Sequence, residues 1–141
     1  MEITWTKDLG VKSDTTATGP RFSAVLTLPS GEPKKIITSN VKFDPDHNQG
    51  YRQLVALLAT GQLDRVVVNI PNHFTDGKYK TVGEGEKGVK IVAIYGDTGL
   101  GYLHGELEFI STPQYSASLS GVFVSGGGEY TLKDAKYFIP K

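Results

Sequence analysis

Residues 89–110 read VKIVAIYGDTGLGYLHGELEFI, and this stretch decides the fold class. Its second half, from Gly101 to Ile110, alternates between two kinds of residue. One set is Leu103, Leu107 and Phe109 with two glycines, and the other is Tyr102, His104, Glu106 and Glu108. A period of two is typical of a strand with one buried and one solvated face. The first half, Val89–Tyr95, is apolar and rich in β-branched residues, so the stretch predicts two antiparallel strands.

A five-residue connection, Gly96–Leu100, sets the register that we predict for this hairpin. It places Ala93 opposite Leu103 on the inside and Lys90 opposite Glu106 on the outside. The same register sets Ile91 opposite Gly105 and Val89 opposite Leu107. A slip of one residue would place the apolar row against polar side chains, so burial and charge favour the same pairing.

The rest of the chain keeps this β rhythm. Its 17 glycines and 7 prolines punctuate the sequence at intervals of about 8–12 residues, as in sandwiches and barrels. The run of β-branched residues at Leu63–Ile70 predicts a central strand that is covered on both faces. Further strands are predicted at Arg21–Leu28, Lys34–Ser39, Leu119–Val124, Glu129–Leu132 and Lys136–Ile139, with a turn at Pro29–Glu32, a first strand through Ile3 and Trp5, and a loop at 10–19.

One segment departs from the β rhythm. Tyr51, Leu54, Val55 and Leu58 are spaced as i, i+3, i+4 and i+7, which is the spacing of an apolar stripe on a helix. Asn48 is a candidate N-cap, and Gly61 suits the position after the last turn. The pattern predicts one short α-helix over about residues 49–60, packed across the central strand.

These elements predict a mainly β fold. We expect an antiparallel sandwich or a partly open barrel of about eight or nine strands, with the helix lying across it. The chain has 141 residues, which is the size of one ordinary domain, and no linker or internal repeat divides it. Residues 1–141 are therefore predicted to form a single β-rich domain.

Composition excludes several classes of function. Fifteen basic residues balance fifteen acidic ones, so no overall field attracts nucleic acid or anionic lipid. The chain has no cysteine, which excludes disulfides, thiolate metal sites and a cysteine nucleophile. Neither an export signal nor a membrane span is visible. We therefore expect a soluble, cytoplasmic protein with no membrane partner.

The segment from Asp44 to Gly50 resembles the opening of a calcium loop. Asp44, Asp46 and Asn48 offer oxygens at alternate positions, and such oxygens suit a hard cation. Gln49 and Val55 stand where an EF-hand loop needs its glycine and its bidentate acid. Turn formation and helix capping explain the same residues. Ca²⁺ is thus a weak alternative, and no other cofactor is predicted.

Catalytic patterns are sparse. The three histidines, His47, His73 and His104, are scattered and form no zinc signature. Glu106 and Glu108 share one strand face at about 7 Å, a separation that suits a carboxylate-based hydrolase. Exposed strands of soluble proteins commonly carry such acids, however. These patterns leave enzymatic activity open, but they favour a protein that is not an enzyme.

Nucleic acid is an alternative partner. Six basic and aromatic residues interleave over a short region, and a small β-barrel can use such a face to bind a single strand. They are Lys78, Tyr79, Lys80, Lys87, Lys90 and Tyr95. Four acids, Asp76, Glu84, Glu86 and Asp97, lie among them and weaken the basic character that phosphate binding needs.

The leading hypothesis is a non-enzymatic binding or assembly module. It would act through contact with a protein partner or with copies of itself. Strands near the C-terminus, Glu129–Leu132 and Lys136–Ile139, are predicted to lie at sheet edges, where unpaired backbone groups favour association.

Overall fold

The computed structural model describes residues 19–47, 50–58, 63–96, 98–112, 114–126 and 128–140; for 46, 47, 63 and 64 it describes the backbone alone. The predicted first strand through Ile3 and Trp5 lies outside these residues, as does most of the loop predicted at 10–19. The described residues form ten strands. They are β1 (Arg21–Thr27), β2 (Pro33–Thr38), β3 (Val41–His47), β4 (Tyr51–Leu57), β5 (Leu63–Pro71), β6 (Gly77–Lys80), β7 (Lys90–Tyr95), β8 (Thr98–Ile110), β9 (Tyr115–Ser125) and β10 (Gly128–Ile139).

The strands form one nearly closed, barrel-like antiparallel sheet. Nine of them follow the order β2-β1-β10-β9-β8-β7-β5-β4-β3, and β6 pairs with β8 beside this path. The two end strands, β2 and β3, are joined through Ser39 and Asn40 alone, so their ends lie within about 11 Å. A flat sheet of nine strands would separate them by about 38 Å. The sheet must therefore curl, which confirms the expected mainly β, barrel-like fold.

The predicted helix at 49–60 is wrong. Residues Tyr51–Leu57 form strand β4, which pairs with β3 on one side and β5 on the other. Within β4 the buried residues are Leu54 and Ala56, so burial has a period of two. Short apolar runs fit both periods, and pairing with two neighbouring strands decides in favour of β here. Strand β5 lies between β7 and β4, so it is an interior strand, but no described helix covers it.

The barrel has two walls that share β8. The front wall contains β3, β4, β5, β7 and the first part of β8, where Val92 pairs with Tyr102. The back wall contains β2, β1, β10, β9 and the rest of β8, with β6 alongside. Thr81 bridges the point where β8 leaves β7. Its hydroxyl accepts from the Gly105 amide at 2.9 Å and donates to the Leu103 carbonyl at 2.5 Å.

The β7–β8 hairpin differs in register from the prediction. Tyr95 pairs with Thr98, so the connection is shorter than five residues and the pairing there is displaced by three positions. An irregularity between Ile94 and Val92 reduces the displacement to two where Val92 pairs with Tyr102. A displacement of two keeps the same residues inside, and Leu103, Leu107 and Phe109 are buried as predicted. Beyond Tyr102 the partners of β8 change. Glu106 therefore faces Lys80 of β6 rather than Lys90.

The two C-terminal segments predicted as edge strands form the single strand β10, which lies between β1 and β9. A bulge between Leu132 and Ala135 separates them, and Asp134 there has a left-handed φ of 53°. The prediction of C-terminal edges is therefore wrong, because the bulge had broken the alternation without ending the strand.

The core fills the space between the walls. Tyr137 of β10 is 1% exposed, and its ring packs on Phe22 with centroids 4.5 Å apart. Its hydroxyl donates to the Val66 carbonyl of β5 at 2.8 Å, which joins the back wall to the front wall. The other large side chains that are fully buried include Phe109, Phe123, Leu26, Leu54, Ile70, Ile91, Leu100, Leu103, Leu107 and Leu132.

Candidate functional site

The predicted calcium ligands lie on and after β3. Asp44 is exposed on this strand, whereas the side chain of Asp46 and all of Asn48 lie outside the described residues. Within the part of the chain that is described, no three His, Asp or Glu side chains form a metal-binding group. The calcium hypothesis therefore stays a prediction without structural support.

The residues predicted to bind nucleic acid do not share one surface. Lys78 and Lys80 lie together on the exposed side of β6, where they face Glu108 and Glu106 of β8. Tyr79 alternates to the other side, and its ring stacks on Phe74 with centroids 4.6 Å apart. Basic and aromatic groups therefore point in opposite directions along β6.

The remaining members of that set lie on β7 and before it. Lys87 is exposed in the connection from β6, and Lys90 begins β7. Tyr95 ends β7 and packs against the core beside Tyr130, with centroids 5.5 Å apart. Because stacking on bases needs exposed rings, this placement weakens the nucleic-acid hypothesis, which stays a prediction.

A groove of about 290 Å³, lined by polar and apolar residues, lies on the outer side of the back wall. Glu106 and Glu108 stand on one side of it, and the small side chains Ser118 and Ser120 of β9 lie beside them. A two-carboxylate hydrolase needs contrasting surroundings for its two acids. Here each glutamate faces a lysine of β6 across the same strand pair, so their surroundings are alike and give no support to hydrolysis.

Arg52 lies at one end of the barrel interior. Its Nη2 donates to the carbonyls of Pro71 at 3.0 Å and Phe74 at 2.6 Å, and its guanidinium lies 4.8 Å from the Phe109 ring centroid. Burial lowers the pKa of Arg52, while the nearby Asp76 raises it. Arg52 Nε has no hydrogen-bond partner among the described residues. The bound carbonyls show that Arg52 anchors the chain after β5.

The outer side of the front wall carries an apolar strip. Val55, Val67, Val92 and Tyr102 lie on four adjacent strands and pair directly with one another in that order. All four are half-buried, and their chain neighbours Leu54, Val66, Val68 and Ile91 point into the core. None of the four is among the partly buried apolar residues that pack on the core. The strip therefore lies on the outside of the wall.

Polar residues border this strip on one side, and both polar and apolar residues border it on the other. Lys42 continues the row on β3, and Gln53 and Asn69 lie beside it, joined by a hydrogen bond of 2.9 Å. Leu57 and Ile94 flank Arg65 on the other side. The sequence contained a signal for this surface, because the run of β-branched residues at Leu63–Ile70 predicted that both faces of β5 are covered. The predicted cover was the helix, and β4 is instead part of the wall itself.

The strands at the ends of the sheet carry features that discourage edge-to-edge pairing. Strand β2 starts with Pro33 and the lysines Lys34 and Lys35, and strand β3 contains Pro45 after the exposed Lys42. Proline and lysine are typical protections of exposed strand edges. Association through a face of the sheet is therefore more compatible with this structure than strand addition.

Comparison with known proteins finds no matching family model, no matching curated protein and no matching solved structure. The described residues form no helix that is long and apolar enough to cross a membrane. Any function must therefore be argued from these surfaces.

Proposed function

We propose that the protein is a non-enzymatic binding and assembly module that makes protein–protein contact through the outer side of its front wall. The observation that carries the proposal is the row Val55, Val67, Val92 and Tyr102, an apolar strip across four strands on a face that no described element covers. Apolar strips bordered by polar residues are typical of protein contact surfaces.

The size of this face supports a weak rather than a permanent contact. Five strands spaced about 4.8 Å apart and about seven residues long cover roughly 550 Å². Two partners would together bury roughly 1,100 Å², close to the lower limit for specific interfaces. We expect dissociation constants in the micromolar range or weaker, since area alone does not set affinity.

Two substitutions test this function. Val67→Asp places a charge at the centre of the strip, where contact would bury it without a partner. Ile110→Asp is the matched control, because Ile110 is 40% exposed on β8 and lies eight residues from Tyr102, in the part of the strand that pairs with β9 in the other wall. We expect sedimentation to show concentration-dependent association of the wild type and of Ile110→Asp, and a monomer for Val67→Asp.

A different protein could also be the partner. In that case the immobilised wild-type chain and Ile110→Asp would retain a protein that Val67→Asp loses. The proposal is overturned if Val67→Asp changes neither self-association nor such retention, provided that its circular dichroism spectrum matches that of the wild type.

A further inference from the structure

The outer side of the back wall carries a basic surface where β2, β1 and β10 lie side by side. Lys35 of β2 and Lys133 of β10 both pair with Val25 of β1, so the two lysines flank this valine. One row further along β1, Ser23 pairs with Lys136 of β10. All three lysines are exposed, and we refer to Lys35, Lys133 and Lys136 as the basic triplet.

The basic triplet differs from the other lysines of the same wall. Lys78 and Lys80 of β6 face Glu108 and Glu106 directly across a strand pair. Among the described residues, by contrast, no ion pair and no side-chain hydrogen bond involves the basic triplet. Although the whole chain has no net charge, three exposed lysines on neighbouring strands create a local positive potential that attracts an anionic partner.

A groove of about 170 Å³ lies within this basic surface. Apolar residues of β1 and β2 form most of its lining, and Ser23, Lys35 and Asp134 complete it. The apolar residues are Ala24, Val25, Ile36 and Ile37. Two strand spacings separate Lys35 from Lys133, which places their backbones about 10 Å apart on either side of Val25. The groove therefore offers an apolar side chain a place between two groups that attract carboxylates.

Asp134 favours a peptide over a nucleic acid as the ligand. It lies between Lys133 and Lys136 at the bulge of β10, and its side chain lines the groove. A carboxylate accepts hydrogen bonds and repels anions, and a peptide backbone offers N–H donors to it, whereas a DNA backbone offers only phosphates. Base stacking also lacks a free ring here, because the Arg21 guanidinium lies over the Phe138 ring at 4.3 Å.

From these features we infer that the basic surface binds an extended acidic segment of a second protein, and that this segment carries an apolar side chain. Its carboxylates pair with the basic triplet, its apolar side chain enters the groove, and a backbone N–H donates to Asp134. This site goes beyond the proposed function, because it uses the opposite wall. Exposed ion pairs are individually weak, so we expect binding in the micromolar range or weaker.

Fluorescence anisotropy with three labelled probes tests the ligand. The first probe is the peptide Glu-Glu-Leu-Glu-Glu, the second has glycine in place of leucine, and the third is decathymidylate. We expect the leucine peptide to bind about five-fold more tightly than the glycine peptide, because only leucine fills the groove. Decathymidylate should bind more weakly than the leucine peptide. Sodium chloride should weaken binding of the leucine peptide, because it screens the exposed charges.

Two matched double variants test the location. Lys133→Gln with Lys136→Gln removes two charges of the basic triplet, and Lys78→Gln with Lys80→Gln removes two exposed charges elsewhere on the same wall. Both lower the net charge equally, so a nonspecific effect of charge would weaken binding equally in the two. We expect the first double variant to weaken binding of the leucine peptide about ten-fold and the second to change it by less than about two-fold. Circular dichroism checks that both remain folded.

The outcomes separate this inference from the proposed function. Equal weakening by the two double variants, equal binding of the leucine and glycine peptides, or no binding of the leucine peptide overturns the site. Tighter binding of decathymidylate than of the leucine peptide overturns its assignment to an acidic segment. Val67→Asp should leave peptide binding unchanged, since Val67 lies on the front wall. None of these peptide results bears on front-wall association, which Val67→Asp tests by sedimentation.

Discussion

Tyr137 shows how one side chain joins the two walls. Among the described residues it is the largest that is fully buried, and its hydroxyl donates to the Val66 carbonyl on the opposite wall. Burial raises the pKa of Tyr137 well above its usual value, and a hydrogen bond with the backbone of Ala56 lowers it by a smaller amount. The folded protein therefore favours the neutral, protonated phenol of Tyr137.

This raised pKa predicts a loss of stability at alkaline pH. Below about pH 10 the tyrosine is neutral in both folded and unfolded chains, so its contribution is fully present. As the pH rises above about 10, the unfolded chain releases this proton while the folded chain retains it, and the free energy of unfolding falls. Denaturant titrations between about pH 8 and pH 11 measure the fall.

Tyr137→Phe is the control for this titration. It should lower the free energy of unfolding by about 1–2 kcal/mol at neutral pH, through the lost hydrogen bond. It should also reduce the fall above pH 10, because residue 137 no longer titrates. Equal alkaline slopes for the wild type and Tyr137→Phe would contradict the prediction.

Among the strands, β8, β9 and β10 depart from regularity at neighbouring positions. Gly105 and Gly121 pair directly, and Gly121 has a φ of 157°. A Cβ atom at Gly105 would overlap the Ser120 carbonyl oxygen, and one at Gly121 would lie 2.8 Å from the Gly105 Cα. The bulge at Asp134 lies on the next strand. Together these features let the back wall bend.

Gly121→Ala should therefore destabilise the protein strongly. We expect a loss of about 3 kcal/mol, because the new methyl group meets backbone that cannot move aside and the φ is unsuited to alanine. Gly99→Ala on β8 is the matched control, since a Cβ atom added at Gly99 would have no neighbouring atom within 4 Å. Thermal or denaturant unfolding measures the stability of both variants. Similar losses of stability for Gly121→Ala and Gly99→Ala would contradict a role for the close approach of the two backbones at Gly121.

Sequence patterns predicted the strands with clean alternation, and β1 is an example because Phe22, Ala24 and Leu26 are buried. They failed at β4, whose apolar residues fit the helical and the strand period equally well. They also failed where pairing is non-local. No local pattern shows that the pairing partner of β8 changes from β7 to β6, or that Glu106 faces Lys80.

The candidate surface was predictable only in part. The run Leu63–Ile70 predicted a strand covered on both faces, whereas the outer side of β5 carries Arg65, Val67 and Asn69 and no described element lies over it. The predicted edges at 129–132 and 136–139 were wrong because a bulge, which adds a residue without ending a strand, disrupts the alternation in sequence.

For the molecule as a whole, the two-residue connection between β2 and β3 has a consequence for how the chain folds. Closing the gap between these ends brings together residues that are near in sequence, and such short loops lose little conformational entropy. The pairing of β1 with β10 joins opposite ends of the described chain and closes a far longer loop. Docking of the β1–β2 hairpin onto β10 is therefore the entropically expensive event, and topology of this kind favours slow folding.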